Sequence, residues 1–130
     1  MVAVKSLMIP REKFITVERE TDVQTAARIM RDRSIGSLFV TNGEEVIGMI
    51  TDTDMVRRVV AGGGDTHKTT VEQIMSAPIL TIEEDKTLLD ANDLMAKTHI
   101  RHLGVTHDGK LVGLISVRDL VLFLTNLPRK

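Results

Sequence analysis

The 130-residue chain contains no cysteine, tryptophan or tyrosine. Without cysteine there is no disulfide, no thiolate metal centre and no cysteine nucleophile. Its only aromatics, Phe14, Phe39 and Phe123, offer little surface on which single-stranded bases could stack. Neither sign of charge is in excess: 17 Lys and Arg stand against 18 Asp and Glu, a net charge of −1. A broad basic footprint for duplex nucleic acid is therefore missing. No apolar run approaches the ~18 residues of a membrane span. The opening MVAVKSLMIPREK lacks the long apolar stretch of a signal peptide, so a cytoplasmic location is expected. No serine sits in a nucleophile elbow and no HExxH motif occurs, so no catalytic activity is expected. What is present is a 42% apolar composition, enough for an aliphatic, methionine-rich core. The length suits one domain or two small, tightly joined repeats.

The repeats are visible directly. GMITDTDM at 48–55 has a near copy, GLISVRDL, at 113–120, an offset of 65 residues. At that offset the identical pairs include Thr16/Thr81, Ala26/Ala91, Met30/Met95, Ile35/Ile100, Leu38/Leu103, Val40/Val105, Ile50/Ile115 and Asp54/Asp119. An earlier segment repeats at an offset of 67: VKSLM at 4–8 resembles VEQIM at 71–75. Two copies are too few for a solenoid, which needs at least about three. A closed pair sharing one core fits better.

Each copy reads as β-α-β-β-α, an α/β (α+β) architecture with sheets covered by helices. A short strand (FITV, PILTI) leads into a helix with Val23, Ala26, Ala27 and Met30 on one face, or Leu88, Ala91, Leu94 and Met95 in the second copy. Asp22 and Thr87 stand where they can cap those helices. Strands follow near 37–41 and 46–50, and near 103–106 and 111–115, joined by NGEE and HDGK turns. A second helix is expected to end near Ala61 and near Leu124. Gly62-Gly63-Gly64-Asp65 breaks the chain and lacks the Lys-Ser/Thr ending of a phosphate loop. The expected division is repeat 1 over 1–61, a linker over 62–69 and repeat 2 over 70–130.

Gly48-x-x-Thr51-x-x-Asp54 and Gly113-x-x-Ser116-x-x-Asp119 have an ordinary reading, because Thr/Ser-x-x-Asp is a helix capping box. They also have a functional one. A helix start exposes unpaired N–H groups and partial positive charge, which suit a phosphate. Glycine permits close approach, Thr51 and Ser116 carry hydroxyls, and Asp54 and Asp119 are acceptors suited to the two hydroxyls of a ribose.

VEQIM…ILTI, HIRHLGVTHDGKLVGLISVRDL and SIGSLFVTNGEEVIGMITDTDM together resemble the cystathionine-β-synthase (CBS) domain family, in the tandem arrangement called a Bateman module. The resemblance covers nearly the whole chain. It implies two CBS repeats packed about a pseudo-twofold axis, with clefts between them that hold adenine nucleotides or adenosyl ligands. It further implies pairing of modules into a homodimer, and regulation of an enzyme or transporter, here a separate one. AMP, ADP and ATP are the ligands expected, with S-adenosylmethionine and NAD ranked behind them; none is an obligatory cofactor. By resemblance Asp54 and Asp119 hold ribose, while Thr51 and Ser116 lie near ribose or phosphate. Thr16 and Ile35 border one adenine slot, and Thr81 and Ile100 the other. Arg101 and His102 match positions that carry phosphate-contacting residues in some members, where the first copy has Gly36 and Ser37. Arg118 likewise faces Thr53, so unequal affinities are expected, with the Asp119 motif the stronger. LGV and LFV stand where the family often has Leu-Pro-Val.

Two other functions remain in view. One is a ligand-free dimerisation and docking scaffold in which the motifs only cap helices. The other, ranked below it, is a nucleic-acid-binding module. His99, His102 and His107 lack the carboxylate repeat of a metal site, and no metal is expected.

Overall fold

Asp22 and Thr87 each end an extended segment and open a helix in the computed structural model, which describes residues 1–126. Asp22 accepts from the Thr25 N–H at 2.8 Å and starts α1 (Val23–Arg33). Thr87 and Asp90 cap one another, each side chain accepting from the other's N–H, at the start of α4 (Leu88–Thr98). These contacts satisfy donors that a helix leaves unpaired. Val23, Ala26 and Met30 are buried on α1, and Ala91 and Met95 on α4. Ala27 does not join them: it is exposed, and Ile29 packs against the core instead. The buried stripe is centred on Ala26, and one residue further is a turn of about 100° round the helix.

The strands match the expected order. In one sheet β2 (Thr16–Glu18) runs parallel to β3 (Ser37–Asn42), which pairs antiparallel with β4 (Glu45–Thr51). In the other, β5 (Thr81–Glu83), β6 (His102–His107) and β7 (Lys110–Ser116) repeat the pattern. A short strand, β1 (Ile9–Pro10), adds to the free edge of β7. The tight turns at Gly43 and Gly109 use left-handed backbone, as the NGEE and HDGK turns require. Leu38, Val40 and Ile50 fill one core, and Leu103, Val105 and Ile115 the other, all essentially inaccessible.

The compact units are not the sequence repeats. One comprises Ile15–Ile79; the other comprises Met1–Phe14 together with the chain from Leu80 onward. The physical reason lies in the segments repeating at the offset of 67. The turn at Val4–Ser6 docks on the second repeat, with the Val4 N–H on Lys86 O at 2.7 Å and Val4 fully buried there. Its counterpart α3 (Val71–Ile74) docks on the first, with the Val71 N–H on Thr21 O at 2.8 Å and Val71 and Ile74 in that core. Residues expected to be a plain linker are also engaged: Thr66 donates to Gln24 at 2.9 Å, and the Val23 N–H reaches Thr69 O.

The second helices differ. In the second repeat α5 runs regularly over Val117–Thr125. In the first, α2 (Asp52–Asp54) passes into a widened π-type stretch, Met55–Val60, where the Ala61 N–H bonds to Val56 O, five residues back. Three glycines follow Ala61 and support a helix poorly, whereas α5 contains none.

Candidate functional site

Both Gly-x-x-Thr/Ser-x-x-Asp turns fold as complete capping boxes. Asp54 Oδ2 accepts from the Thr51 N–H at 2.9 Å and from the Thr51 hydroxyl at 3.2 Å, and Thr51 Oγ1 takes the Asp54 N–H. Asp119 Oδ2 accepts from the Ser116 N–H at 2.8 Å and from the Ser116 hydroxyl at 2.9 Å, and Ser116 Oγ takes the Asp119 N–H. In each box one carboxylate oxygen does all the capping. The cap therefore leaves the other oxygen, Oδ1, available to something else, so capping and ligand binding are not exclusive.

The two Oδ1 atoms have different surroundings. Asp54 is buried, and its Oδ1 faces the Arg58 guanidinium at 3.7 Å. Arg58 is itself anchored, donating to Ile74 O at 2.9 Å and Met75 O at 3.2 Å. At the offset of 65 the residue matching Arg58 is Phe123, which has no charge. Asp119 is half-buried, and among the described residues no donor reaches its Oδ1. Arg57 and Arg58 follow the first motif in the chain, and the structure sets Arg58 against Asp54 and two backbone carbonyls. The i, i+4 spacing of Asp54 and Arg58 is the signal for that pair.

Each unit brings most of its expected site residues to one end of its sheet. In the first, Thr16 opens β2, Ile35 precedes β3, and Thr51 closes β4 opposite Ser37. In the second, Thr81 opens β5, Ile100 and Arg101 precede β6, and His102 lies opposite Ser116 with Arg118 and Asp119 just beyond. Ile100, Arg101 and Arg118 are exposed and His102 is half-buried. The Arg101 carbonyl accepts the Val117 N–H at 3.0 Å, as the Gly36 carbonyl accepts the Asp52 N–H at 3.0 Å. A Cβ on Gly36 would meet Asp52 Oδ2 at 3.1 Å. Where the second repeat offers arginine, the first therefore presents a carboxylate.

Gly48 and Gly113 lie farther back, opposite Val40 and Val105. A Cβ on Gly48 would strike the Met75 side chain and stand 3.0 Å from Ser76 O; on Gly113 it would strike Met8 and stand 3.0 Å from Ile9 O. The close approach that demands glycine comes from the chain's own incoming segment. Among the described residues no group of three or more His, Asp or Glu stands where it could hold a metal ion. No described helix is long and apolar enough to cross a membrane.

Comparison with known proteins agrees with this geometry. The CBS-domain profile matches twice, at residues 4–61 and 71–126. The protein MK0525 of Methanopyrus kandleri is 38% identical over 104 residues, which are 78% of this chain but 53% of that protein, so the chain spans about half its length. A crystal structure of a conserved protein from Pyrococcus horikoshii superposes with a TM-score of 0.86 at 30% identity, covering 99% of this chain and 96% of that one. CBSX2, solved in complex with AMP, shares the fold with a TM-score of 0.78 at 23% identity, covering 99% of this chain and 100% of that one. With two matched copies spanning nearly all of its length, the chain belongs to the CBS-domain family as a tandem pair.

Proposed function

We propose that the chain is a regulatory module that binds an adenosine-containing ligand, AMP, ADP or ATP, and relays that state to a separate partner protein. The observation that carries this reading is the second capping box, which spends one oxygen of Asp119 on the helix and leaves the other without a donor among the described residues, close in sequence to Arg118 and at the sheet end that carries Arg101. An acceptor oxygen suits a ribose diol and the arginines suit phosphate. Ser116 and His102 flank the same strand end, and Thr81 and Ile100 border the place proposed for adenine. The AMP bound by CBSX2 supports the ligand class.

Thermal-shift titration with AMP, ADP, ATP, S-adenosylmethionine and NAD tests the reading. A ligand at 100 times its Kd stabilises the folded state by about 2.7 kcal/mol. Asp119→Ala should abolish the shift while the protein remains folded. If no adenosine-containing ligand raises the melting temperature at millimolar concentration, the reading fails.

A second reading has its own observation. Val121, Leu122 and Leu124 on α5 are 51%, 49% and 63% exposed, and Val56 and Val60 are exposed on the widened turn. We propose that these apolar faces pair modules into a homodimer, which would serve a docking scaffold as well as a sensor. Val121→Glu should shift the mass measured by light scattering to that of one chain.

A further inference from the structure

Resting on the nucleotide-binding reading above, we infer that Arg58 closes the first capping box to ligand, leaving one binding-competent aspartate per chain, Asp119. The two boxes are alike in every capping bond and differ at the second oxygen. Arg58 stands 3.7 Å from Asp54 Oδ1, and two backbone carbonyls, Ile74 O and Met75 O, fix its guanidinium. A ribose hydroxyl donating to Asp54 Oδ1 must compete with a cation that two backbone carbonyls hold beside that oxygen. Moving away would cost Arg58 its ion pair and leave the two carbonyls without that donor. Phe123 at the matching position can do nothing of the kind to Asp119. The charges around the boxes lean the same way. Asp52 lies against Gly36, whereas the second box has Val117 and Arg101 at those places.

Adenosine is the probe, because it carries the diol without a phosphate that Asp52 would repel. Equilibrium dialysis should find one adenosine per chain in the unaltered protein. Arg58→Met keeps an aliphatic side chain but removes the cation, and should raise the count to two. Adding Asp54→Asn to Arg58→Met should return it to one. Asp54→Asn alone should leave the single site and its Kd unchanged. Two equivalents in the unaltered protein overturn the inference. So does one equivalent in a folded Arg58→Met variant, or loss of binding on Asp54→Asn alone. These outcomes leave the nucleotide reading standing. Absence of adenosine binding in the unaltered protein and the Arg58→Met variant alike sinks that reading and takes the inference with it. Should Arg58→Met fail to fold, the unaltered stoichiometry and the Asp54→Asn result still decide.

Discussion

Met8 lies directly over Gly113, and the Ile9 carbonyl closes the same space, 3.0 Å from where a Cβ would stand. Met75 and Ser76 do the same to Gly48. Gly113→Ala should therefore destabilise the protein by about 1–3 kcal/mol, the usual range for overpacking a filled core. The backbone carbonyl cannot swing aside as the methionine can. Urea denaturation checks the value, and a neutral effect would mean that the incoming segment yields more readily than its pairing with β7 implies.

Val4 is fully buried in the core of the unit that contains the second repeat. Val4→Ala should cost roughly 2 kcal/mol, between the cost of losing one methylene and that of a leucine truncation. Hydrogen exchange should place the loss among residues 80–126 and spare 15–79. Loosening confined to residues 15–61 would contradict the assignment of this segment.

Both long helices carry an acid-sensitive cap. The Thr25 N–H, then the Thr25 hydroxyl, holds Asp22 below the ordinary aspartate pKa. The Thr87 N–H, then its hydroxyl, does so for Asp90. Because the folded pKa lies below the unfolded one, the unfolded chain binds more protons in acid. The contribution is complete above about pH 3.9 and is lost as pH falls through the lowered folded values. Asp22→Asn with Asp90→Asn should flatten the acid limb of melting temperature against pH. An unaltered acid limb would show that these caps do not govern it.

The strand and helix order was legible because the repeat supplied every element twice. The apolar strands at β3 and β6 and the caps at Asp22 and Thr87 each recur in a copy 65 residues away. The capping boxes were legible for the same reason, since their contacts span three residues. What stayed hidden depends on partners distant in sequence. Nothing local says that Val4 packs beside Lys86, or that Val71 packs beside Thr21. The offset of 67, against 65 elsewhere, is the one trace in the sequence that these segments stand apart from the rest of each repeat. The approach of Met75 to Gly48 and of Met8 to Gly113 is hidden too, because a motif does not show which distant segment lies over it. Which carboxylate Arg58 meets follows from its position in the fold. Ala27 is exposed because the i, i+3, i+4 spacing spans a wider stripe than α1 buries.

The partition of the chain sets an order for its synthesis. Ile15–Ile79 is continuous, so a nascent chain holds everything that unit needs well before translation ends. Val4 leaves the ribosome earlier, yet Lys86, its hydrogen-bond partner, and Ile115, in the same core, are made much later. The segment around Val4 must wait, unseated, while some eighty residues are added behind it. A fragment cut at the repeat boundary, residues 1–61, would keep that waiting segment and lack Val71 and Ile74 from the core it does contain. Residues 15–79 are the continuous piece that keeps its own core together.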